Sequence, residues 1–236
     1  MMDTIVTQHL IRRGDLNHHG SLYAGRSAPS WILIEGLAGE DLILQKSAKK
    51  LAKFIGWTLM TEIVKIPPFG EELHRHLDSY KGAVKQASCS AWNLLYQLLM
   101  QNNLPVSKVS FNENGKPYFS DSLVHFSISH SKGLCAAAVS DRPIGVDIEL
   151  CKAEYNPRLI ERSLTEKEQA TFDGDFTRLW CRKEAVAKMT GEGIIGYPNY
   201  IDTTAYKFNE SLIEYKGQKY WLVAVEDSYV MNQGKK

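Results

Sequence analysis

The sequence predicts an α+β protein made of two halves of similar plan. Two observations carry this reading. Apolar residues recur at helical spacing over two long stretches, about 83–101 and 175–190. Each stretch is followed by short strand-like runs separated by tight turns. Along the chain the order is strand, helices, strands, then strand, helix, strands. No internal repeat is evident, and no low-complexity linker divides the chain.

The elements follow in order. Gly14, Gly20 and Gly25 interrupt the first 30 residues, and His18-His19 between them reads as solvated loop. Trp31 to Ile34 is expected as a short strand. Ser47 to Ile55 is expected as a lysine-rich helix with Leu51, Phe54 and Ile55 on one side. In the first long helix Val84, Ala87, Ala91, Leu94, Leu95 and Leu98 share a face, and Asn102, Asn103 and Pro105 end it. A turn cluster, Phe111 to Pro117, leads into the strand-like Tyr118-Phe119.

Three strands are then expected: Val124 to Ser129, Leu134 to Ser140 and Ile144 to Leu150, joined by turns short enough for antiparallel neighbours. The second helix carries Phe176, Leu179, Val186 and Met189 on its apolar side, and Gly191 and Gly193 close it. Tyr200 to Phe208, Leu212 to Tyr215 and Tyr220 to Val225 read as the final strands, the last two around a Lys216-Gly217-Gln218 turn.

Composition narrows the function. Of 236 residues, 44% are hydrophobic and 23% charged, as in globular proteins. Lys and Arg total 28 against 27 for Asp and Glu, so there is no general field to attract nucleic acid or an anionic membrane. No stretch approaches the roughly 20 apolar residues of a membrane helix. Met1 to Arg13 lacks the continuous apolar core of a signal peptide. Cys89, Cys135, Cys151 and Cys181 form no CxxC pair, which disfavours zinc and thioredoxin-like chemistry. A reduced, cytoplasmic monomer is expected.

Three segments hold chemistry. In Gly145-Val146-Asp147-Ile148-Glu149, strand alternation points Asp147 and Glu149 the same way. Alone, that is the wet face of a half-buried sheet. The second helix adds Trp180, Glu184 and Lys188, four apart on one face. Glu184 and Lys188 are either an exposed ion pair or part of a site in which three carboxylates suit Mg²⁺ and the lysine faces phosphates. Phe126 to Ser131 ends in Ser129-His130-Ser131, expected as a turn at a strand end. Such a turn suits an anion, a cap or a nucleophile–base pair, although nothing here resembles GxSxG.

The ordered set GKPYF, FSISHS, IGVDIE and WCRKEAVAK, spread over about 85–193, resembles the signature of Sfp-type 4′-phosphopantetheinyl transferases. The resemblance implies two pseudo-twofold-related halves, here 1–142 and 143–236, with antiparallel sheets packed against helices and the active site between them. It implies transfer of the 4′-phosphopantetheine group from coenzyme A to a serine of an apo acyl or peptidyl carrier protein, with Mg²⁺ and release of 3′,5′-ADP. Asp147, Glu149 and Glu184 then match the metal ligands, with Glu184 also a candidate general base. Lys188 matches the lysine at the pyrophosphate. Ser129 and His130 match residues at the 3′-phosphate, Lys116 one near the nucleotide, and Lys85 falls where the family has a 3′-phosphate arginine. Glu168, or Glu166 just before it, matches a further family acid assigned to catalysis. Cys181 stands where the family commonly has Ser or Thr. A Mg²⁺-dependent nucleotide pyrophosphate hydrolase and a silent carrier-binding relative are the rival readings.

Overall fold

A computed structural model describes residues 31–35, 53–60 and 66–227. The readings of the first 30 residues, His18-His19 included, lie outside them. In order, the elements are β1 (Trp31–Glu35), β2 (Lys53–Leu59), α1 (Glu71–Asp78), α2 (Gly82–Gln101), β3 (Val109–Phe111), β4 (Pro117–Phe119), β5 (His125–Ser131), β6 (Leu134–Ser140) and β7 (Ile144–Leu150). Then follow α3 (Pro157–Ser163), α4 (Glu166–Thr171), α5 (Phe176–Thr190), a 3-10 turn at Thr203–Ala205, β8 (Phe208–Tyr215) and β9 (Gln218–Glu226).

The apolar pattern stacks the elements in layers. One sheet has the order β1-β2-β6-β5, the other β7-β9-β8, and β3 pairs with β4 alone. All seven residues of β6, Leu-Cys-Ala-Ala-Ala-Val-Ser, are buried because both of its faces are covered. Cys135, Ala137 and Val139 face α2, packing with Trp92, Leu95 and Leu98. Leu134, Ala136 and Ala138 face the second sheet, meeting Val146, Ile148, Tyr220 and Leu222. Beyond that sheet, Val223 and Val225 pack against Cys181, Ala185 and Met189 of α5. The section is therefore helix, sheet, sheet, helix.

Both long helices stand where the periodicity puts them. Asp175 caps α5 by accepting from the Arg178 N–H, and Gly191 ends it at φ 81°, a left-handed conformation that favours glycine. Three expectations are corrected. The described end of the 47–55 segment is strand β2, not helix: Phe54 and Ile55 are buried on opposite faces between neighbouring strands. β7 does not pair with β6. The Ser140 hydroxyl accepts from the Arg142 N–H at 3.2 Å, and Pro143 leads the chain into the other sheet. Tyr200 to Lys207 is not strand, because Asp202 caps the 3-10 turn and β8 begins only at Phe208. Among the described residues, no helix is long and apolar enough to cross a membrane.

Candidate active site

The contact between β7 and α5 sets the site. A Cβ on Gly145 would lie 1.8 Å from the Ala185 carbonyl oxygen and 2.7 Å from the Met189 nitrogen. Glycine therefore lets the helix backbone rest directly on the strand. Asp147 and Glu149 alternate with Val146 and Ile148, so they rise on the α5 side and not toward the sandwich interior.

Asp147 is 5% exposed and answered on both oxygens. Its Oδ1 accepts from Lys188 Nζ and from the Ser129 hydroxyl, both at 2.7 Å. Lys188 Nζ is also 2.8 Å from Ser129 Oγ. Asp147 Oδ2 accepts from the Cys181 thiol at 3.1 Å. Burial, followed by the charge of Asp147, pushes that thiol well above its ordinary range and keeps it a donor. Burial works against charge on Lys188, but Asp147 and then Glu184 raise its pKa on balance, so the ammonium persists. Lys188 thus reaches across to β7 and β5 instead of sitting in an exposed pair along its own helix.

Glu184 lies half-buried one turn before Lys188. Burial lifts its carboxyl above the ordinary value, and Asp147 and Glu149 add to the rise while Lys188 opposes it. Glu149 is 3.9 Å from Lys152 Nζ. Hard carboxylate oxygens whose charges repel one another suit a divalent cation in their chemistry. They are not drawn together: among the described residues, no three His, Cys, Asp or Glu side chains are placed to hold a metal ion.

The other predicted residues divide. Ser129 belongs to the cluster, and it lies inside a strand. The hydroxyls of Ser127, Ser129 and Ser131 accept from the N–H groups of Val146, Ile148 and Leu150 at 3.0, 3.4 and 3.3 Å. Serine side chains thus join the β5 and β7 edges where no ladder forms, and the expected turn at 129–131 is corrected to strand. His130 falls on the other face of β5. Desolvation of its covered part, then the charge of Lys188, lowers the imidazole pKa.

Lys116 caps α5: its Nζ donates to the Met189 carbonyl at 2.6 Å, while Asn114 Nδ2 donates to Gly191 O at 3.1 Å. Burial lowers the Lys116 pKa. Lys85 is engaged by Asp78 at 2.8 Å. Glu168 is not in the cluster. It is 2% exposed and completes a capping box with Thr165, and both oxygens are occupied by Thr165, Lys183 and Thr203. Sequence reasoning missed Lys183, which is fully buried. The Thr165-x-x-Glu168 spacing was a legible capping signal for its partner.

Comparison with known proteins finds a similarity over the second half of the chain. Residues 143–231 match the model of the 4′-phosphopantetheinyl transferase superfamily. Among curated relatives, the chain is 34% identical over 118 residues to the 4′-phosphopantetheinyl transferase gsp of Aneurinibacillus migulanus, covering 43% of this chain and 49% of that one. It is 34% identical over 102 residues to psf-1 of Bacillus pumilus (39% and 43% covered). To HetI of Nostoc sp. it is 36% identical over 104 residues (37% and 43% covered). The last two are likewise named 4′-phosphopantetheinyl transferases. The chain spans about half the length of the curated relatives it matches.

Proposed function

We propose that this protein transfers the 4′-phosphopantetheine group of coenzyme A to a serine of an apo acyl or peptidyl carrier protein, releasing 3′,5′-ADP. One observation carries the reading. Residues from three separately recognised motifs, Ser129, Asp147 and Lys188, meet within 2.8 Å, with Glu184 and Glu149 beside them. The proposed halves are 1–142 and 143–236, related by a pseudo-twofold, with the cluster where β5 of the first adjoins β7 of the second.

The residues have distinct tasks in this reading. Lys188 supplies fixed positive charge to the pyrophosphate where negative charge grows on the leaving side, an effect worth about 10²–10³-fold for a preorganised donor. Glu184, or a water held by the acids, takes the proton of the attacking serine, and general-base help contributes roughly 10²–10⁴-fold. Asp147, Glu149 and Glu184, whose oxygen chemistry suits Mg²⁺ although the structure does not gather them on one point, are the proposed ligands, and the ion when bound would supply Lewis-acid neutralisation of the phosphates. His130, Lys116 and Lys85 are proposed contacts of the nucleotide end. The described cysteines are free thiols; a reduced, cytoplasmic monomer is part of the same proposal.

The test is intact mass after incubation with coenzyme A, Mg²⁺ and apo carrier proteins. Gain of one phosphopantetheine group by a carrier is the expected result. Free nucleotide without that gain would mean a hydrolase, and no change with any of several carriers would mean a silent binder.

A further inference from the structure

The face of α5 turned away from the sheet carries a second, unrelated charge system. Lys183 has no exposed surface, and its ammonium spends all three N–H groups: on Glu168 Oε2 at 2.6 Å, Ile201 O at 2.7 Å and Pro198 O at 3.1 Å. Glu168 is equally committed. Its Oε2 also accepts from the Thr165 N–H at 2.9 Å, and its Oε1 accepts from the Thr203 N–H at 2.9 Å and the Thr203 hydroxyl at 2.5 Å. One ion pair thus ties α4, the 198–201 loop and the 3-10 turn to the middle of α5.

Its place on the helix matters. At about 100° per residue, Lys183 lies roughly 200° round the axis from Ala185, whose carbonyl rests on Gly145. The helix is therefore held from two opposite sides. Glu184 and Lys188 project from the flank between them, so a small rotation of α5 would carry Lys188 away from Asp147. A buried ion pair is a weak source of net stability, since apolar residues of similar volume often serve as well. What it provides that they do not is a set of directed bonds that fixes an angle.

We propose that Lys183 and Glu168 are positioning residues: their buried pair, closed by Thr203, fixes the rotational setting of α5 that seats Lys188 against Asp147 and Ser129. The proposal rests on the transferase reading for its functional consequence only.

The main variant is Glu168→Leu/Lys183→Met, which removes the directed bonds and leaves no unpaired buried charge. Two readouts are taken on the folded protein: steady-state transfer from coenzyme A to an apo carrier protein, and the Lys188 ε resonance of ¹³C-lysine-labelled protein, assigned with Lys188→Arg. With melting near wild type, kcat is expected to fall tenfold or more while KM for coenzyme A stays within about twofold, and the Lys188 resonance is expected to shift or broaden. A purely structural role would leave both kcat and the resonance unchanged in the folded variant, and that result would overturn the proposal. If the double variant does not fold, Thr203→Val decides, since it removes one bond to Glu168 and keeps the pair. It is expected to give a smaller kcat loss and the same direction of resonance shift, and wild-type values for both would overturn the proposal. Should wild-type protein transfer nothing, the transferase reading fails while the resonance still tests the clamp.

Discussion

Glu184 stands where its own charge is opposed, by burial first and by Asp147 and Glu149 next. A carboxyl with a raised pKa in the folded state weighs against the fold increasingly as pH rises from its unfolded pKa through its folded one. Glu184→Gln is therefore expected to raise metal-free stability at pH 7, by roughly 0.5–1 kcal/mol, while abolishing transfer. Thermal melts beside a transfer assay check both halves. Glu168 has the opposite sign. Burial opposes its charge, but Lys183, Thr165 and Thr203 hold its pKa below the ordinary value on balance. Its contribution is present above the unfolded pKa and is lost as pH falls through the lower folded one. The melting difference between wild type and Glu168→Gln is expected to shrink as pH falls through and below the ordinary glutamate range, and a constant difference would contradict this. Sequence alone made the alternation of Asp147 and Glu149 legible, and the shared face of Glu184 and Lys188. It gave no sign that Lys183, a charged residue in the same helix, points inward, because helical spacing orders faces without saying which are covered.

Among the elements, β7 and α5 form the contact on which the site depends. Gly145→Ala places a methyl group inside van der Waals distance of the Ala185 carbonyl, so strand and helix must separate. A loss of about 1–3 kcal/mol is expected, with a larger fractional loss of transfer, since both Asp147 and Lys188 move relative to each other. Chemical melts and assay of the folded fraction test it. The long helices α2 and α5 were legible because each combines apolar periodicity with stop residues. The short helices α1, α3 and α4 were not, since six to eight residues give barely two turns of pattern. β2 was misread because a strand buried on both faces loses its alternation, leaving lysines and apolar residues that also fit a helix. The change of sheet at Pro143 left no local signal, because a short turn looks the same whether or not the ladder continues.

Taken whole, the molecule brings distant segments to one place. Ser129 and Asp147 are far apart in pattern, yet three serine hydroxyls stitch the edge of one sheet to the edge of the other. The β3–β4 turn closes over the end of α5 through Asn114 and Lys116. The motifs named the participants; the two packed sheets and the two helices outside them decide how they meet. The most direct test is single-turnover transfer from coenzyme A to an apo carrier protein by Lys188→Met, with folding confirmed by its melt. Removing the ammonium leaves Asp147 without its countercharge, held only by the Ser129 hydroxyl and the Cys181 thiol, at a cost of about 1–3 kcal/mol, which a stable fold can bear. The expected result is a folded protein whose chemical step is slowed by about 10²–10³-fold. A folded Lys188→Met protein that transfers at the wild-type rate would contradict the assignment of this cluster as the transfer site.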